Sequence, residues 1–117
     1  MPTSSSKHQL TIFLSQHCHD SAACGVATYV AAAAAGVDAV DTATDSLSGT
    51  TSQPSVNALL ASLEGSEYEP KCNVHNIRSI DQYWQQLRLV YSPFEAHLNG
   101  PDPDVFAHNI PGGQLSK

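Results

Sequence analysis

In "HCHDSA" two imidazoles stand one residue apart, His17 and His19, with the Asp20 carboxylate next to them. On an extended chain residues i and i+2 point to the same side, so the two rings would lie side by side. Neutral imidazole is the commonest protein metal ligand. The pair therefore reads as part of a divalent-metal shell that carboxylates or water must complete. The same spacing also fits two packed or solvated histidines, and the tripeptide alone does not separate the readings. Asp20 suits either a helix cap or a carboxylate that orients the His19 ring from behind. Cys18, on the opposite side, reads as packed rather than reactive.

The surrounding elements decide where such a pair would sit. Residues 10–16, "LTIFLSQ", are β-branched and aromatic and predict a short strand that ends at His17. Asp20 or Ser21 can open a helix through Ala35, and Gly36 supplies the left-handed residue that ends it. That helix is almost all Ala, Val, Gly and Thr, small residues that permit close packing on a sheet. Residues 37–43, "VDAVDTA", predict a second strand. Strand, helix and strand in about 35 residues make a βαβ unit, with the histidines at the carboxyl end of its first strand. Open α/β sheets and barrels bind their ligands at that end.

Downstream, the polar loop "DSLSGTTSQ" leads to a helix opened by Pro54 in its first turn and ended by Gly65. Residues 73–76 read as a connector. From 79 to 97 the apolar positions Ile80, Tyr83, Trp84, Leu87, Val90, Tyr91 and Phe94 follow helical spacing, with Tyr83, Trp84 and Tyr91 expected in a core and Pro93 expected to kink or end the helix. Asp41 and Asp45 suit helix capping or solvent as well as a pocket. The loop residues Ser48, Thr51, Ser52 and Gln53 could touch a ligand or merely shape the loop. His97 and His108 fall in turn-rich sequence, and "PGG" at 111–113 reads as a turn.

Composition narrows the class. The 117 residues allow one domain with a core. Five basic against eleven acidic residues give a net charge of −6 with no basic cluster, which argues against a nucleic-acid partner. Asp38 and Asp41 interrupt the Ala-rich run, so no membrane span is expected. Three cysteines without C-x-x-C spacing suggest neither a disulfide framework nor a cysteine zinc site. The opening "MPTSSSKHQ" reads as neither a signal nor a transit peptide. A reducing compartment is expected, the cytoplasm first and the mitochondrion second.

Taken together, "HCHDSA", "GVDAVDTATDSLSGTTSQPSVNALLASLEG", "DQYWQQLRLVYSPFEAHLNGPDPDVF" and "HNIPGGQLS" resemble the carboxyltransferase domain of the pyruvate carboxylase family. The resemblance covers residues 17–117 as a partial domain and leaves 1–16 unmatched. It implies an α/β fold, an incomplete (β/α)8 TIM-barrel fragment of about two βα units plus a C-terminal helical extension. It implies that His17 and His19 ligate a divalent metal, Mn or Zn, with Asp20 behind them. The parent domain transfers CO2 from carboxybiotin to pyruvate to give oxaloacetate, and the full-length parent, expected to be a homo-oligomer, also uses biotin and ATP. In that family the remaining metal ligands are an aspartate and a carbamylated lysine, and further residues position or act on pyruvate. None of these has a counterpart among the residues matched here. A complete barrel needs roughly 250 residues, so the chain reads as a piece of an enzyme with no catalytic residue of its own, inactive alone.

H-x-H-D by itself resembles the wider superfamily of metal-dependent barrel lyases and synthases. A fragment of such an enzyme, or of a biotin-dependent oxaloacetate decarboxylase, is the alternative. The loop "SGTTSQPS" separates the lyases and synthases, because those resembled carry a Gly-rich, often Cys-bearing loop there, while "GPDPDVF" with "IPGGQL" resembles pyruvate carboxylase more closely than the decarboxylases. The resemblance stops abruptly at both ends, and "TIFLSQ" can be encoded by a pyrimidine-rich tract ending in CAG. The expectation is one exon's reading frame extended into its flanking introns, which the genomic DNA around codons 11–17 and 117 would test.

Overall fold

In the computed structural model of the chain, residues 11–96 and 100–104 are described. Leu10, His97, His108 and the turn expected at 111–113 lie outside them. The order is β1 (Ser15–Gln16), α1 (Gly25–Ala34), β2 (Ala39–Val40), a 3-10 turn (Asp45–Leu47), α2 (Val56–Leu63), α3 (Val74–Tyr91) and a second 3-10 turn (Ser92–Phe94). The expected βαβ unit is present. β1 and β2 are parallel, with Ser15 opposite Ala39 and Gln16 opposite Val40. Both strands are shorter than the apolar runs that predict them. Of the described part of the first run, Ile12, Phe13 and Leu14 are exposed.

α1 starts later than expected because the chain first makes a turn, in which the Ala23 N–H donates to the Asp20 carbonyl at 3.0 Å. The helix ends at the expected glycine. Gly36 has φ +94°, its N–H donates to the Ala33 carbonyl and the Val37 N–H to the Ala32 carbonyl, both at 3.1 Å. That pair of bonds satisfies the last carbonyls of the helix. Pro54 does not enter the first turn of α2. Ser55 is the cap, its Oγ accepting from the Ala58 N–H at 3.0 Å, and Pro54 lies just outside, fully buried.

α3 begins five residues before the expected 79, because the Asn73 side chain accepts from the Asn76 N–H and caps it there. The stretch assigned to a connector is therefore the cap and first turn of the helix. Pro93 ends α3, as expected. The aromatics of α3 are a correction to the core assignment: Tyr83, Trp84 and Tyr91 are exposed, and so is Phe94 in the turn just beyond, to 85%. An amphipathic stripe is buried only where another element covers it, and none of the described elements covers this one. The helix is held instead through its polar side, where the Asp81 carboxylate accepts from the Ser46 N–H at 2.9 Å and its Oγ–H at 3.0 Å. Arg88 donates to the Ser46 carbonyl and pairs with Glu95 at 3.0 Å. Among the described residues no helix is long and apolar enough to cross a membrane.

The core is small and lies between α1 and α2. Tyr29, Leu59 and Leu63 are its buried apolar side chains, with Cys18, Val26, Val30 and Val40 packed against them. The Tyr29 hydroxyl accepts from the Cys18 N–H at 3.1 Å. Burial first, and then a hydrogen bond with the Cys18 side chain, push the Tyr29 phenol from its ordinary 10 up to about 12, while the Cys18 backbone N–H pulls it the other way. The folded chain thus holds this proton more tightly than the unfolded chain. The Tyr29 contribution is intact below about pH 10 and is lost as pH rises toward 12, at about 1.4 kcal/mol per pH unit. Urea midpoints measured at pH 9 and pH 11.5 should show the fall, and Tyr29→Phe should reduce it. An equal fall in Tyr29→Phe would show that another group titrates.

Candidate functional site

The parallel register builds the site. Gln16 lies opposite Val40, so the next residues, His17 and Asp41, leave the two strand ends side by side. The Asp41 N–H closes the pairing on the Gln16 carbonyl at 3.1 Å. The two side chains meet there, with His17 Nδ1 2.8 Å from Asp41 Oδ2. Sequence reasoning left Asp41 open between a pocket, a helix cap and solvent, and did not name it as the partner of His17. The signal available was the equal offset of both residues from their strands. Both groups are more than half exposed, so the pair orients a ring more than it stabilises the fold.

His19 is oriented by backbone. Its Nδ1 is 2.6 Å from the Thr51 carbonyl oxygen, which can only accept, so the ring proton sits on Nδ1. The orienting role considered for Asp20 therefore falls to Thr51. Asp20 acts at the other place considered for it, the start of α1, where Oδ1 accepts from the Gly25 N–H at 2.8 Å. The two rings lie on one side of the chain, as the i, i+2 spacing predicts, with centroids 5.3 Å apart and planes at 81°. With Asp41 Oδ2 and the Thr51 carbonyl as acceptors, each ring donates from Nδ1, and in the neutral form Nε2 carries the lone pair. A ligating histidine nearly always has this arrangement, its second ring nitrogen donating to a carboxylate or a carbonyl. The donor set thus fits two ligands of a divalent ion. Among the described residues, no group of three or more His, Cys, Asp or Glu is placed to complete the shell.

The loop that supplies Thr51 is tied to the histidine segment at three successive carbonyls. Thr50 accepts from Ser21 Oγ–H at 3.2 Å, Thr51 faces His19, and Ser52 accepts from the Asp20 N–H at 2.8 Å. The loop turns at Gly49 (φ +86°) and Thr50 (φ +49°). A β-branched residue is rarely left-handed, and the conformation costs about 1–2 kcal/mol. Asp45 completes the loop by holding the start of α2 beside its Ser55 cap, accepting from Ser55 Oγ–H at 2.6 Å, from Asn57 Nδ2 at 2.8 Å and from the Asn57 N–H at 3.3 Å. Of the loop residues singled out from sequence, Ser48, Thr51 and Ser52 line an open cleft of about 570 Å3 against Arg88 and Glu95 of the α3 end. Gln53 does not line it and serves through its carbonyl, which accepts from the Gly49 N–H at 3.0 Å. The cleft does not include His17 or His19.

The family model described as HMGL-like matches residues 4–83. The chain is 64% identical over 100 residues to a pyruvate carboxylase of Aspergillus terreus, a match covering 86% of this chain and 8% of the relative. The carboxyltransferase domain of Rhizobium etli pyruvate carboxylase, solved with pyruvate, superposes with a TM-score of 0.78 at 43% identity, covering 86% of this chain and 17% of that one. The same domain solved with pyruvate and biocytin gives 0.77, over 83% and 16%. The chain thus spans a small part of each protein it matches, and its elements are those of an incomplete carboxyltransferase barrel.

Proposed function

The chain belongs to the HMGL-like family, and we propose that it is the part of a pyruvate carboxylase-type carboxyltransferase barrel that supplies two histidine ligands, His17 and His19, to a divalent metal. The observation that carries this reading is the commitment of both Nδ1 atoms, one to Asp41 and one to the Thr51 carbonyl. It leaves both Nε2 atoms as the ring donors. A Mn2+ or Zn2+ ion held there would act as a Lewis acid toward a carbonyl oxygen of the substrate. Asp41 and Thr51 hold the rings in place through Nδ1, so that Nε2 is the nitrogen each neutral ring would offer to the ion. Pyruvate as acceptor and carboxybiotin as donor are the substrates of the whole domain, on the strength of relatives solved with pyruvate and biocytin. ATP and a homo-oligomeric state belong to the proposed parent. Three free cysteines support a reducing setting, cytoplasmic or mitochondrial.

The chain alone has two imidazoles toward a shell of four or more ligands, so its metal binding should be weak and its turnover nil. Titrating 15N-labelled chain with Mn2+ should broaden the His17 and His19 ring signals before that of His75, and His17→Ala should remove the effect at His19. Broadening that starts at His75 would overturn the ligand assignment. Oxaloacetate formed from pyruvate above background, and lost in His17→Ala, would overturn the reading of an incomplete site.

A further inference from the structure

We propose that the left-handed Gly49–Thr50 step is a positioning device for His19. It turns the Thr51 carbonyl onto Nδ1 and so fixes which ring nitrogen carries the proton. The inference rests on the reading of His19 as a ligand and adds the backbone feature that prepares it. An unconstrained neutral histidine side chain favours the proton on Nε2, the nitrogen a metal would need, so an unheld His19 would have to change tautomer before ligating.

Three observations converge. Thr50 is a β-branched residue at φ +49°, a conformation that persists only where its surroundings over-determine it. The surroundings do so: the Gly49 N–H donates to the Gln53 carbonyl at 3.0 Å and the Ser52 N–H to the Gly49 carbonyl at 2.9 Å. The result is that the carbonyls of Thr50, Thr51 and Ser52 all reach the segment from His19 to Ser21. The 2.6 Å contact to Nδ1 is the shortest of the three. His17 needs no such loop, because Asp41 holds it from the neighbouring strand end.

The test reads the tautomer directly, by long-range 1H–15N correlation on the full chain in mildly alkaline, metal-free buffer. Wild-type His19 should carry its proton on Nδ1, and finding it on Nε2 would overturn the proposal without any variant. A Cβ at Gly49 would meet nothing within 4 Å, so Gly49→Val is aimed at the left-handed backbone angle, which a β-branched residue resists. It should move the His19 proton to Nε2 and leave His17 unchanged. Gly36→Val is the control, with φ +94° and the same open space around the new Cβ, and should leave His19 as it is. Thr50→Gly relieves the strain and should keep the Nδ1 proton. Loss of the Nδ1 proton to the same extent in Gly36→Val, or its retention in a folded Gly49→Val, would overturn the assignment. The Mn2+ titration is a separate readout: a His19 that keeps its Nδ1 proton but ignores Mn2+ refutes the ligand reading and supports the positioning role.

Discussion

Replacing Tyr29 by alanine is expected to unfold the chain. Tyr29 is fully buried, and with Leu59 and Leu63 it makes up the buried apolar core among the described residues. Truncating a buried aromatic costs about 3–5 kcal/mol, and the Cys18 N–H would also lose its acceptor. Stabilities of whole domains are only about 5–15 kcal/mol, and a core this small places the chain toward the low end. Far-UV circular dichroism at 25 °C should show loss of the helical signal in Tyr29→Ala, while Tyr29→Phe keeps the ring and should cost about 1–3 kcal/mol. A Tyr29→Ala chain that melts within a few degrees of wild type would show that Tyr29 is not the centre of the core.

Gly25→Ala is the second large effect, and its sign is the informative part. On helix propensity alone, alanine at the first position of α1 would stabilise by up to about 1 kcal/mol. Here the new Cβ would collide with the buried Pro54 ring and come within 2.9 Å of Asp20 Oδ1. Pro54 precedes α2 and cannot swing aside, and Asp20 is held by the Gly25 N–H it accepts from. Overpacking of this kind costs about 1–3 kcal/mol, so the variant should be less stable by urea denaturation. It should also loosen the His19–Thr51 contact, because the Asp20 N–H ties the histidine segment to the same loop. A stabilised Gly25→Ala would mean that α1 and α2 can separate without cost.

Several features were legible in the residues themselves because they depend on neighbours in sequence. The end of α1 at Gly36 follows from a glycine after an unbroken helical run. The side-by-side rings follow from i, i+2 spacing. The parallel pairing follows from a small-residue helix of crossover length between two apolar runs. Element boundaries were less legible. The start of α3 turned on whether the Asn73 side chain closes on Asn76, a local choice for which residues 73–76 carry only a weak apolar pattern.

What the sequence by itself determined is the βαβ unit, the two histidines at its carboxyl end and the polar loop beyond them. Their resemblance to one kind of barrel domain was legible on the same residues. What only the tertiary structure decided is which groups hold those rings. Asp41 reaches His17 through strand register. Thr51 reaches His19 through a carbonyl every residue type possesses, delivered by two left-handed backbone angles. The placement of Tyr29 inside and the α3 aromatics outside was decided there too. Periodicity marks a face as apolar, but burial depends on whether another part of the fold lies against it. α2 covers Tyr29, and none of the described elements covers the stripe of α3.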